Sequence, residues 1–112
     1  MKSNIIFALA VSVVSAITTP ALAYAITNIS DLRQEQTVTI SGEVTKIIGD
    51  DNEWEVTDET GYVVVDAGSL WEEAIDVSVG DRLTVIGELD ENEFDAFTVI
   101  LDDGTEIDIP QD

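Results

Sequence analysis

The residues of this chain that can do chemistry are almost all carboxylates. Asp and Glu number 24 in 112 residues, against 4 Lys and Arg, with no His and no Cys. Without Cys there is no disulfide, thiolate nucleophile or zinc–thiolate site. Without His the usual general base and the commonest metal ligand are missing. What remains is oxygen chemistry. Two acid groups stand out by spacing: Asp50, Asp51, Glu53 and Glu55, then Asp90, Glu91 and Glu93. Carboxylate pairs can do acid–base work on a sugar, but that needs a deep site that pulls two pKa values apart. A chain this short offers little depth, and no nucleophile elbow or phosphate loop is present. No enzyme activity and no catalytic residue is expected.

The second use of carboxylates is attraction of cations through a summed field. The formal net charge is -20. It opposes contacts to phosphate backbones, which need Lys and Arg. Asp90-x-Asn92-x-x-Asp95 supplies oxygens but lacks the glycine and terminal glutamate of an EF-hand loop. Neither a metal site nor a cofactor is expected.

These acids need elements to position them. Residues 1–23 read as a cleaved signal peptide. Met1-Lys2 is the positive end, Ile5 to Ile17 the apolar run, and Ala21-Leu22-Ala23 the small-residue cleavage pattern, with cleavage after Ala25 as the alternative. The run is shorter than the ~20 residues of a spanning helix. A periplasmic or secreted location follows. Loss of this segment removes Lys2 and no acid, so the rest is more acidic still.

Residues 24–36 form an N-terminal segment whose stretch Ile29 to Gln36 suits a short helix, with Asn28 or Ser30 as N-cap. Residues 37–112 change to a period of two. Val38, Ile40, Gly42 and Val44 mark the inner face of a long first strand that runs on to Ile48. Trp54 and Val56 mark a second strand, Tyr62 to Asp66 a third, Arg82 to Leu89 a fourth and Phe94 to Leu101 a fifth. Asp102-Asp103-Gly104 is a hairpin turn, and Thr105 to Ile109 adds a short sixth strand. Leu70 to Ile75 suits a short helix with Ser69 as its N-cap. Five strands with a helix between the third and fourth is the order of an all-β Greek-key OB-fold barrel. Gly42 and Gly87, inside strands, suit the bends and close backbone approaches that closure needs.

The stretch Val38 to Val99 resembles the bacterial OB-fold family of small exported proteins, the YgiW/YdeI stress-tolerance type. The resemblance runs through Ile40-Ser41-Gly42-Glu43-Val44, Gly49-Asp50, Asp58-Glu59-Thr60-Gly61, Trp71, Gly80-Asp81-Arg82-Leu83 and Gly87-Glu88-Leu89-Asp90. It implies a periplasmic, non-enzymatic protein tied to stress tolerance that binds small or cationic ligands. The fifth strand and the greater acidity depart from the family pattern.

OB-folds usually bind on the outer face of strands two and three, between the loops joining strands one-two and four-five. Six carboxylates fall in those loops: Asp50, Asp51, Glu53, Asp90, Glu91 and Glu93. Glu55, Tyr62 and Asp66 take outward positions between them. The expected site is a cleft of acids around Tyr62, open to cation–π contact. The expected partner is a small cationic ligand, a cationic peptide or an envelope component, with nucleic acid excluded. Two alternatives stand beside it: a protein-interaction module using a sheet edge or Val64 and Ile86, and a nucleic-acid-binding OB domain disfavoured by charge and export. Acidic turns are also ordinary solvated loops.

Overall fold

The structure is a computed structural model that describes residues 24–49, 52–68 and 74–111. The expected signal peptide, Asp50, Asp51, Trp71 and residues 70–73 of the expected second helix lie outside the described residues. Ala74 and Ile75, the end of that helix, are not helical.

Six strands follow in order: β1 (Thr37–Ile48), β2 (Glu53–Thr57), β3 (Tyr62–Asp66), β4 (Arg82–Asp90), β5 (Glu93–Ile100) and β6 (Glu106–Asp108). Their order in the sheet is β3-β2-β1-β4-β5-β6, and β3 also pairs with β5. That last pairing closes the first five strands into a ring and leaves β6 as an appended edge. All ladders are antiparallel except β3–β5. This is the expected all-β barrel.

The long β1 serves two partners. Its first part, Thr37 to Glu43, pairs with β4, and its second, Glu43 to Ile48, with β2. A strand shared in this way must bend. The register shifts between Val44 and Lys46, which leaves Thr45 as the extra residue of a bulge. Gly42 permits the close approach beside it: a Cβ there would stand 2.5 Å from the Thr57 carbonyl oxygen. At Gly87, next to the second register shift in β4–β5, a Cβ would run into the Asp95 carbonyl oxygen. Both glycines are demanded by backbone approach, as the pattern predicts.

Alternation places the core. Ile40, Val44, Val56, Val65, Val85, Phe94 and Val99 are fully buried, and Trp54 joins them at 2% exposure. Burying large apolar side chains stabilises by about 1.5–3 kcal/mol each.

The N-terminal segment is a strap across one end of the barrel. Only Ile29–Asp31 is helical, a single 3-10 turn instead of the expected helix to Gln36. The segment's backbone bonds go outward to the barrel. The Thr27 N–H donates to Thr39 O and the Glu35 N–H to Leu89 O. Asn28 sits at the N-cap without a side-chain bond. Asp58, in the β2–β3 turn, takes its place: its Oδ2 accepts the Ile29 N–H at 2.9 Å, while Thr60 Oγ1 accepts the Ser30 N–H at 3.0 Å. Ile29 is thereby pressed into the core.

Candidate functional site

The outer face of β1, β2 and β3 divides into two ends of different chemistry. Along β3, Tyr62, Val64 and Asp66 share this face. At about 3.3 Å per residue, Tyr62 and Asp66 stand about 13 Å apart. That spacing decides which expected site residues can meet.

The first end is acidic. Glu53 pairs with Asp66 across β2–β3, and Asp66 with Asp95 across β3–β5. Glu93 stands opposite Val64 on β3 and Asp90 on β4. Carboxylate oxygens of Glu53, Asp66 and Glu93 all lie within 4.8 Å of one another, and the three side chains are half-buried. Burial, and then the charges of Glu53, Asp66, Asp95 and Asp90, hold the Glu93 carboxyl above its ordinary value. Burial, then Asp66, Asp90 and Glu88, and a hydrogen bond shared with Asp90, raise Asp95 likewise. A hollow of about 420 Å³ beside them is lined by Asp90, Glu91, Asn92, Glu93 and Asp95. An oxygen-only cluster of this kind suits hard cations in ligand type.

The sequence therefore places part of this cluster correctly. Glu53, Asp66 and Glu93 come together, and Asp90 is near enough to act on Glu93. Glu55 points elsewhere: its Oε1 accepts the Thr45 hydroxyl at 2.7 Å. Glu91 is exposed at the turn with φ 58°, and its backbone is clasped by Gln34. Gln34 Nε2 donates to Glu91 O at 2.9 Å, and Glu91 N–H donates to Gln34 Oε1 at 2.7 Å. Asp95 was not expected here. The signal for it was its spacing of two from Glu93 on one strand face.

Tyr62 is the main correction to the expected geometry. It lies opposite Thr57 at the far end of β3 and is 62% exposed. Among the described residues, the expected loop acids Glu53, Asp90 and Glu93 stand at the Asp66 end of the strand and not around Tyr62.

That far end holds a groove of about 460 Å³. Its floor carries the hydroxyls of Ser41, Thr45 and Thr57, with Ile26 of the strap and Arg82 among its walls beside the acids Glu43, Asp58 and Glu59. Thr45 and Thr57 Oγ1 are 2.8 Å apart and share a hydrogen bond. Arg82 stands opposite Glu43 across β1–β4, and Lys46 opposite Glu55 across β1–β2. Two of the three basic residues after Lys2 thus lie on this outer face. Lys46 and Arg82 are far apart in sequence, and the β2-β1-β4 neighbour order of the sheet puts them on one surface.

No protein-family model matches the chain, and no curated protein matches it. The resemblance to exported bacterial OB-fold proteins therefore rests on the residues that carry it. Two solved structures are similar. One is the telomere capping protein Ten1 from Saccharomyces pombe, with a TM-score of 0.51 and 14% identity over 63% of this chain and 70% of that one. The other is the S. pombe Stn1–Ten1 complex, with a TM-score of 0.52 and 14% identity over 67% of this chain and 70% of that one.

These neighbours overturn the expected function. They are named for telomere capping and for assembly into a complex, not for holding a small ligand in an envelope. The reading as a stress-tolerance protein that binds a small cationic ligand, cationic peptide or envelope component is withdrawn. So is the exclusion of nucleic acid. Net charge averages over a surface, whereas Lys46 and Arg82 are local to one face. At 14% identity the likeness shows architecture: the chain is a closed all-β OB-fold barrel with a sixth strand on its edge.

Proposed function

We propose that the chain is a non-enzymatic binding module that docks a protein partner on the groove end of its β1–β2–β3 outer face. The exposed Tyr62 carries the reading. A tyrosine combines a large apolar body with a polar tip and loses little entropy on docking, which is why it recurs at interface centres. Beside it, the groove offers hydroxyls and Ile26, with Arg82 set among the acids Glu43, Asp58 and Glu59. A complex of Ten1 with Stn1 shares the fold, which supports assembly with another protein as a use of such a barrel. The pattern of residues 1–23 supports export, so the partner would be met outside the cytoplasm.

A second reading uses the same face for single-stranded nucleic acid. Tyr62 offers a stacking platform, and Lys46 and Arg82 offer phosphate contacts. The similar telomere capping protein favours it. The net charge of -20 opposes it, and low salt strengthens only the local contacts of Lys46 and Arg82.

One pair of measurements separates the readings. A photocrosslinker replaces Tyr62, or Glu106 on the edge strand as control, in the cells that make the protein. A defined protein adduct from position 62 and none from 106 supports docking there. Fluorescence anisotropy with single-stranded DNA at about 50 mM salt tests the alternative. Binding that disappears in Tyr62→Ala, with no protein adduct, replaces the first reading by the second.

A further inference from the structure

Closure of this barrel rests on its shortest ladder within the ring. The antiparallel ladders β1–β2, β1–β4, β2–β3 and β4–β5 hold five to seven residue pairs each. The parallel β3–β5 ladder holds three: Val64 with Glu93, Val65 with Phe94 and Asp66 with Asp95. Parallel pairing is also slightly weaker per residue. Val65 and Phe94, both fully buried, lie on the inner side of this seam.

The outer side of the seam is a meeting of like charges. Asp66 comes from β3, Glu93 and Asp95 from β5, Glu53 from β2, and Asp90 and Glu88 from β4. Every charged neighbour that shifts Glu93 or Asp95 is itself an acid. The ring closes by bringing them together, and the closed seam keeps them partly out of water.

We propose that the β3–β5 seam is the line along which the barrel opens, and that the carboxylates facing each other across it loosen the seam as they ionise. This is independent of what docks near Tyr62. The direction follows from linkage. Closure raises the proton affinities of Glu93 and Asp95, so the closed seam binds protons more tightly than an open one. Closure is then favoured as pH falls toward the ordinary values of 4.5 and 3.8, and weakens as pH rises through the raised ones.

The test is amide hydrogen exchange on the folded protein at about pH 7.5 and about pH 4.5, expressed as protection factors so that the intrinsic pH dependence divides out. Residues 62–66 and 93–96 should be several-fold better protected at the lower pH, relative to residues 37–43 and 82–86 of the β1–β4 ladder. The double variant Glu93→Gln, Asp95→Asn should raise seam protection at the higher pH and flatten the response. In the native protein, about 0.5 M salt should do the same at the higher pH and little at the lower, because screening acts only on ionised groups. A seam that exchanges in step with β1–β4 at both pH values overturns the proposal. So does a native response that salt leaves unchanged, which keeps the test decisive if the double variant fails to fold.

Discussion

The Asp58 carboxylate accepts the Ile29 backbone N–H at 2.9 Å, joining the β2–β3 turn to a helical turn 29 residues earlier. The same side chain organises its own turn. Its Oδ1 accepts the Thr60 N–H at 2.7 Å, the Thr60 hydroxyl at 2.6 Å and the Gly61 N–H at 3.0 Å. One carboxylate thus builds a turn and caps a helix end that supplies no cap of its own. Asp58→Ala should destabilise the protein by about 2 kcal/mol, since it leaves several donors without their charged acceptor. Asp58→Asn should recover part of that. Urea denaturation of the three proteins checks the order; an Ala variant as stable as the native chain would show that the strap is not held here.

Gly87 and the Asp95 carbonyl are in closer contact than any Cβ allows. The neighbour is backbone, in a buried stretch of β4–β5 beside a register shift, so little can move aside. Gly87→Ala should cost about 3 kcal/mol, at the upper end of overpacking costs. Gly49→Ala is the contrasting control. No atom crowds that site, so its smaller cost reflects only the positive φ of 62°. Thermal melts of both variants separate crowding from backbone strain.

The barrel was legible because alternation is local. Val38, Ile40, Gly42 and Val44 announce a strand with one buried face, and Leu83, Val85 and Gly87 announce another. Strand ends fall within a residue or so of their expected places. The strap was not legible, because its partners are distant in sequence: Asp58 for Ile29, and Glu91 for Gln34. Propensity read Ile29 to Gln36 as helix, whereas tertiary hydrogen bonds pull all but one turn of it into extended contact with the barrel. The candidate site was half legible for a related reason. Loop positions brought Glu53 and Glu93 together on paper and in space. Tyr62 shares a face with Asp66, but a shared face is not a shared location when the residues stand four apart on a strand.

The titrating groups pull stability in opposite directions as pH falls. Glu93 and Asp95 have raised values, so their ionised forms destabilise the fold at neutral pH, and protonation relieves this first. At Asp58, burial raises the value, but the hydrogen bonds from Thr60, Ile29 and Gly61 outweigh it and set the carboxyl below its ordinary 3.8. Its contribution is present above that ordinary value and is lost as pH falls through the lowered one. Stability should therefore rise from pH 7 to a maximum on the acid side, then drop. Urea midpoints across this range check the shape. Glu93→Gln should raise stability at pH 7 and shrink the rise on acidification.

Tyr62 offers the cleanest separation of docking from folding. It is 62% exposed, and its cross-strand neighbour is Thr57, a half-buried residue of the groove floor. An aromatic–threonine pair on a sheet surface contributes about 0.2–1 kcal/mol, so Tyr62→Ala should change the melting temperature only slightly. If the ring anchors a partner, the same truncation should weaken the complex by about 2 kcal/mol, near thirtyfold in Kd. Tyr62→Phe should keep most of the affinity if the ring's apolar body does the anchoring, and lose it if the hydroxyl does. Arg82→Gln tests the opposite wall of the groove: it removes a cation without setting a second carboxylate opposite Glu43, and should weaken docking with little change in the melt. Affinity of the crosslinked partner for these variants, measured beside their melts, decides the matter. Unchanged affinity in Tyr62→Ala would move the docking surface off this face.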